Sequence, residues 1–508
     1  MNLAMLLEMA AEAFGERIAM TVKSDAEQKN YSYAELWRAA RAASRQFIDS
    51  QCKYVALLDT NSVAVPIAIF GAALAGIPYV PLNYRLTKNE LDELLQRIAP
   101  AYLIAAPEYS APLTTPADIR IVERAHFIAS MLAAPETSAT AAEDADIAIQ
   151  LFTSGTTGKP KAALLRHDNL LAYILGTIEF GSADEDDAIL VAVPPYHIAG
   201  ISAVLSATYA CRRTVQLPNF DAAEWLRLCA AERISNAFLV PTMLMRVIEH
   251  LDATQTTPQL PALRAIAYGG GKMPQTVIER AMALFPDIAF TNAYGLTETS
   301  STICLLDPND HRAAATSDDA AIRRRLVSVG KALPTIELQV RGDNGEIVGS
   351  NIVGDVHVRG DQVSGSYLGV GSLLDADGWF PTRDRGYLDD GGYLFLDGRA
   401  DDVIVRGGEN ISPGEIEEIL SMHPAVADVA VVAMPSQQWG ETIAAAVVLK
   451  NNRQVSIAQA PDLVKELQAL VKDNLRSSRV PEAIVFKDEL PYNEMGKVLR
   501  RLIKLEFQ

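Results

Sequence analysis

Along this chain, short apolar runs alternate with stretches in which apolar residues recur every three or four positions. Residues 54–58, 147–152 and 265–268 are runs of the first kind, each closing on a polar or glycine-rich turn, which predicts buried strands. Residues 87–98 are of the second kind. There Thr87 and Glu90 have capping-box spacing, and Leu91, Leu94, Leu95 and Ile98 follow a 3.6-residue period, which predicts a helix with one buried stripe. Strands and helices alternating in this way predict an α/β fold. Two charge-free stretches, residues 61–84 and 188–211, are long enough to span a bilayer. Pro66, Gly71, Gly76, Pro78 and Pro81 divide the first into a short apolar helix and an extended segment, and Pro194, Pro195 and His197 interrupt the second. Both therefore predict buried core and no integral membrane segment.

The last hundred residues read as a separate, small α+β unit. Strands are expected near 426–433 and 483–486, with a helix near 461–475 whose Leu463, Val464, Leu467 and Val471 form one buried stripe. The polar segment 397–402 lies between two apolar strands and is the candidate boundary, although its composition equally suits an ordinary hairpin. With 508 residues the chain exceeds the roughly 100–200 of one typical domain, so at least two units are expected. Residues 135–142, rich in Ala and Thr, suggest an exposed connection.

Charge narrows the partners. A formal net charge of −18 repels phosphodiester backbones, which speaks against nucleic acid and anionic membrane surfaces. An anionic cofactor would need a local positive pocket. The four cysteines, Cys52, Cys211, Cys229 and Cys304, have no paired spacing for a disulfide framework or a zinc site, and the first residues lack a basic region and a long apolar stretch. A cytoplasmic protein is expected.

One segment carries specific chemistry. After the apolar run ending at Phe152 come Thr153, Ser154, Gly155, Thr156, Thr157 and Gly158, then Lys159, Pro160 and Lys161. Small residues expose successive backbone N–H groups, and hydroxyls and lysines add donors, a set that suits triphosphate oxygens. The spacing departs from the Walker pattern, because Lys159 is followed by Pro160 and Gly155 stands too close to Gly158. A different nucleotide fold is implied.

This loop resembles the signature of the acyl-adenylate-forming superfamily, which includes acyl-CoA synthetases, firefly luciferase and the adenylation domains of peptide synthetases. Further segments follow in the family's order across nearly the whole chain. Tyr268 with Gly269, Gly270 and Gly271 resembles the glycine turn over which adenine and the acyl group lie. Asn292, Ala293, Tyr294, Gly295, Leu296, Thr297 and Glu298 resemble the adenylate-binding motif, in which the ring packs on adenine, Thr297 meets phosphate and Glu298 holds Mg²⁺. Trp379 to Asp384 is similar to the segment whose Asp, here Asp384, grips the ribose, and Arg399 matches an arginine that reaches the nucleotide. The family normally has glycine where Arg383 stands. Asp401 falls at the family's hinge position. Arg406, Gly407, Gly408 and Glu409 resemble the start of the acceptor tunnel, although many relatives have a small hydroxyl residue in place of Arg406. Lys497, after Pro491 and Gly496, matches the lysine of the adenylation step.

The resemblance implies a large N-terminal adenylate-forming domain, residues 1–398, a hinge at 399–402, and a small C-terminal domain, 403–508, that rotates between two half-reactions. It implies ATP and Mg²⁺ as cofactors and CoA as the second substrate, with an amine such as an amino acid, or a carrier-protein thiol, as alternative acceptors. A non-catalytic nucleotide-binding protein is the reading outside enzymology, and Glu298, Asp384 and Lys497 together speak against it. His197, within Val193 to Gly200, resembles the histidine that borders the carboxylate pocket. No Asp follows between Tyr196 and Ser202 to hold an α-ammonium group. A fatty, alicyclic or aryl acid is therefore expected, with Phe238, Val240 and Ala293 near its apolar part.

Overall fold

The computed structural model describes residues 1–23, 28–136, 146–153, 160–399, 402–406, 409–450, 460–493 and 496–507. The connection expected at 135–142 lies largely outside them. The chain divides into two compact units: Met1–Val327 with Lys331–Glu337 and Val358–Phe380, and Ser328–Gly330 with Leu338–His357 and Pro381–Gln508.

The first unit contains two large sheets. In one, of nine strands, a parallel core runs Ala289–Leu296, Ala265–Gly269, Asn236–Leu239, Ala188–Val191, Arg213–Gln216 and Ile18–Lys23, with antiparallel strands added at each end. The other has eight strands, among them Tyr54–Leu58, Tyr79–Pro81, Ala101–Ala105 and the antiparallel pair Ile147–Thr153 and Lys161–Arg166. Parallel strands covered on both faces read as unbroken apolar runs, which is why these elements showed in the sequence. The expected helix is present as Lys88–Ile98, with both halves of its capping box made by Thr87 and Glu90 and with Leu91, Leu94, Leu95 and Ile98 buried.

The charge-free stretches behave as their prolines required. The first is the helix Ala64–Ala75 followed by the strand Tyr79–Pro81. Residues 64–74 of that helix are all buried, so its apolar character all round reflects a central place in the core. The second gives Ala188–Val191 and the helix Ile198–Tyr209. No helix among the described residues is long and apolar enough to cross a membrane.

In the second unit, Val426–Ser436 pairs antiparallel with Gly440–Leu449, which pairs in parallel with Ala483–Lys487; the helix Ala460–Asn474 contributes Leu467 and Val471 to the core they share. Most of a four-stranded sheet, including Phe380–Leu388 and Leu394–Arg399, clusters with this unit. Leu394 on its last strand pairs through its backbone with Gly330 and Val329. Contacts of this kind join segments distant in sequence, and no local pattern announces them.

Candidate active site

The first unit carries the phosphate-loop stems, the glycine turn and the carboxylate of Glu298. Ser154, Gly155, Thr156, Thr157, Gly158 and Lys159 lie outside the described residues. Their stems are well defined: Thr153 stands opposite Lys161 in the antiparallel pair, and its hydroxyl donates to the Lys161 carbonyl at 3.4 Å. Arg97 braces the base, donating to the Pro160 carbonyl at 2.8 Å while its guanidinium lies 4.8 Å from the Phe152 ring centre. Arg97 ends a helix 56 residues before Thr153, so nothing local marked it.

Gly269 ends its strand opposite Ala293. A Cβ there would stand 2.1 Å from the Ala293 carbonyl oxygen, so only glycine allows the two backbones to approach. The next residue, Gly270, has φ +85°. Behind the turn, the buried Tyr268 hydroxyl meets His311 Nε2 at 2.9 Å, and His311 Nδ1 lies 2.8 Å from the Asp307 carbonyl. A carbonyl only accepts, so Nδ1 carries the proton and Nε2 receives the phenol's hydrogen bond. Burial pushes the His311 pKa below its ordinary value, consistent with this neutral tautomer.

The strand Ala289–Leu296 places Asn292 and Tyr294 in buried positions and Ala293 in a half-buried one. Its end is tightly folded. A Cβ on Gly295 would lie 1.9 Å from the Ser301 carbonyl oxygen, and a 3₁₀ turn, Thr297–Thr299, follows, with Ser300 at φ +56°. Thr299 accepts from Leu296 N–H at 3.0 Å. Thr297 and Glu298 are left half-buried at the turn's start.

A second segment then grips Glu298. Ser364 and Gly365 donate backbone N–H groups to the Glu298 carbonyl at 2.9 and 3.1 Å, and the Tyr367 hydroxyl donates to its carboxylate. The fully buried Gln362 amide donates to the Thr299 and Thr302 carbonyls at 3.1 and 2.8 Å. Gln362 and Tyr367 were not expected from the sequence; the only signal was a run of small and hydroxyl residues around Gly365. Among the described residues no three His, Cys, Asp or Glu side chains gather as a metal site. One carboxylate nevertheless fits Mg²⁺, which keeps several waters and is commonly held by one or two carboxylates plus substrate phosphates.

His197 caps the helix Ile198–Tyr209, with its ring centre 4.5 Å from that of Tyr196. On either side of it in sequence, Val193 and Ala199 line a narrow apolar recess with Ile189, Leu190, Ala203 and Phe238. Val240 is buried in the core.

The second unit holds the remaining residues. Asp384, buried, faces Arg399 in register and accepts from its Nε at 3.0 Å. The Thr382 hydroxyl accepts from Asp384 N–H at 3.1 Å and donates to the Val356 carbonyl at 2.8 Å, which fixes the acid's backbone. Arg383 between them is exposed at φ +62°, a left-handed conformation costing a side-chain-bearing residue about 1–2 kcal/mol. Arg383→Gly is expected to raise unfolding stability by about 1 kcal/mol in denaturant titration. A lower midpoint would show that the arginine's own interactions outweigh the strain.

Asp401, Gly407 and Gly408 lie outside the described residues. Arg406 is turned into its own domain: it donates to the Ser478 carbonyl at 2.7 Å and to Glu482 at 2.5 Å, and packs 5.6 Å from the Trp439 ring centre. Glu409 pairs with Arg479 at 2.5 Å, and that hydrogen bond holds its carboxyl below the usual carboxylate range. Lys497 is exposed at the end of a tight turn, where Asn493 N–H donates to the Lys497 carbonyl at 2.8 Å and Lys497 N–H to Asn493 Oδ1 at 2.9 Å.

Known proteins resemble this chain along most of its length. A family model described as AMP-binding enzyme matches residues 7–368, and its C-terminal-domain counterpart matches residues 415–497. An indoleacetate–CoA ligase of Aromatoleum aromaticum is 32% identical over 461 residues, covering 87% of this chain and 86% of that protein. A feruloyl-CoA synthase of an Amycolatopsis species is 30% identical over 457 residues, 89% and 88% of the two chains. Among solved structures, the o-succinylbenzoate CoA synthetase of Bacillus subtilis with its acyl-adenylate intermediate superimposes with a TM-score of 0.81 at 27% identity, over 98% of this chain and 97% of that one.

Proposed function

The chain belongs to the AMP-binding enzymes and is an AMP-forming carboxylate ligase, and from that premise we propose that its acid is an aryl acid and its acceptor the thiol of CoA. The segment around His197 carries this reading: from Val193 to Ser202 it holds no Asp, Glu, Lys or Arg that could pair with a charged group beside the carboxylate. Rings are carried by the acids that name the indoleacetate and feruloyl relatives, which supports an aryl acid.

In the first half-reaction a carboxylate oxygen attacks the α-phosphorus of ATP, forming the acyl–phosphate bond as pyrophosphate leaves. No general base is needed, because a carboxylic acid with a pKa of about 4–5 is already ionised at neutral pH. The protein's work is to offset negative charge with groups fixed in advance. The loop between Thr153 and Lys161 holds the β- and γ-phosphates, Thr297 the α-phosphate, and Lys497 the oxygens of the reacting phosphorus. Glu298 would hold a Mg²⁺ ion, which would supply neutralisation of phosphate charge. Tyr294 packs on adenine beside Gly269, Gly270 and Gly271, and Asp384 with Arg399 holds the ribose. In the second half-reaction, after rotation at Asp401, the CoA sulfur attacks the acyl carbon, its proton leaves to solvent, and AMP departs. Four free cysteines support a reducing cytoplasm as the location.

The test is pyrophosphate release from ATP and Mg²⁺ with a panel of aryl, alicyclic and fatty acids, followed by addition of CoA, an amino acid or a carrier protein and identification of products by mass. Aryl-CoA should dominate. Release with fatty acids only, or product only with an amine, would refute the assignment.

A further inference from the structure

Arg500, three residues beyond Lys497, is largely withdrawn from solvent, yet all of its charge is met. Its Nη1 and Nη2 fork onto both oxygens of Glu417, the second at 3.1 Å, and Nη1 also donates to the Val431 carbonyl at 2.6 Å. Glu417, buried on the helix Pro413–Ser421, accepts in addition from Val431 N–H at 2.7 Å. The remaining nitrogen, Nε, lies 3.4 Å from Asp402. A forked pair to a planar carboxylate is directional as well as strong, so it fixes the plane of the guanidinium and hence where Nε points.

The turn carrying Lys497 is itself anchored at its other end. Tyr492 pairs with Val498 across the turn, and its hydroxyl donates to Asp428. Leu499 N–H donates to the Pro491 carbonyl at 2.7 Å. Residues 491–493 and 497–499, on either side of the turn, are therefore tied to each other and lead directly into Arg500.

We propose that the chain of charges Asp402–Arg500–Glu417 is a positioning linkage that locks the turn bearing Lys497 to the segment leaving the hinge, so that rotation at Asp401 carries the lysine without slack. The inference rests on the roles proposed above for Lys497 and Asp401. Arg500 and Asp402 touch neither nucleotide nor acid in this account; they act through Lys497. The Ser412 hydroxyl donates to the Asp397 carbonyl at 2.5 Å, a contact spanning residue 401 that rotation there would break. The contact from Asp402 to Arg500 lies wholly beyond the hinge and would persist.

The test uses Asp402→Asn in the full chain, with the two half-reactions measured apart: pyrophosphate release from acid and ATP, and CoA thioester formation from supplied acyl-adenylate. Adenylation kcat is expected to fall about tenfold, with KM for ATP and the second half-reaction each within about twofold, as suits a small misplacement of one catalytic group. Asp402→Glu should restore most of the loss. In the double variant with Lys497→Ala, Asp402→Asn should add nothing to the loss from Lys497→Ala alone. Equal loss in both half-reactions, an additive loss in the double variant, or no loss would each overturn the linkage. If Asp402→Asn lowers the unfolding temperature by more than a few degrees, Asp402→Glu decides, since the linkage requires it to favour adenylation over Asp402→Asn. Should Lys497→Ala itself leave adenylation intact, the role of Lys497 fails, an outcome distinct from failure of the linkage.

Discussion

Lys497→Ala is expected to lower acyl-adenylate formation about 10²–10³-fold, the cost of removing one preorganised charge from a developing oxyanion, while turnover of supplied acyl-adenylate with CoA stays within about threefold. The asymmetry follows from where charge develops. In the first step negative charge builds on the α-phosphate as pyrophosphate leaves, and an ammonium group there is worth most in the transition state. In the second step the reacting centre is the acyl carbon, and AMP departs as an already formed phosphate. Local structure favours a clean result. Lys497 is exposed, and its turn is held by the backbone of Pro491 and by the side chains of Asn493 and Tyr492. Removing its side chain leaves these contacts in place and should move the unfolding temperature little. Quenched-flow measurement of pyrophosphate and AMP with one enzyme preparation checks both halves. If both rates fall equally, the rotating-domain account is wrong.

How far the fold could be read in advance depended on whether local sequence carries the cause. The helix Lys88–Ile98 was legible because its cap and its stripe both lie within twelve residues. The helix Ala64–Ala75 was legible as buried because it carries no charged residue and is closed by Gly76 and Pro78. The pairing of Leu394 with Gly330 was not legible, because no local pattern marks a contact between segments so far apart.

The candidate site divides in the same way. Glycines were informative because close approach excludes every other residue, as Gly269 against Ala293 illustrates. Supporting side chains were silent. Tyr367 reaches Glu298 from 69 residues away, and His311 reaches Tyr268 from 43; neither distance leaves a periodic trace. Arg406, which the sequence placed on the acceptor side, has its guanidinium engaged by Ser478, Glu482 and Trp439. That engagement gives Arg406 a structural role within its own unit.

The same reasoning makes Glu298→Gln a sharp probe. Glutamine keeps the shape of the side chain and still presents an oxygen to the Tyr367 hydroxyl, and the backbone contacts of Glu298 with Ser364 and Gly365 are untouched. The turn should therefore hold and unfolding stability should barely change. What disappears is one full negative charge, and with it a hard anionic oxygen for Mg²⁺. Adenylation is expected to fall about 10²-fold at a fixed, subsaturating Mg²⁺ concentration and to recover partly as Mg²⁺ is raised, because a metal held by phosphates and water alone still neutralises charge once enough of it is bound. Tyr367→Phe removes only the hydrogen bond that orients the carboxylate and should cost about three- to tenfold, in proportion to a bond worth about 1 kcal/mol. Pyrophosphate release titrated against Mg²⁺ for the three proteins separates charge from orientation. A Glu298→Gln enzyme with the parent's rate and Mg²⁺ dependence would remove Glu298 from the metal's surroundings and leave its grip by Tyr367 as a purely structural tie.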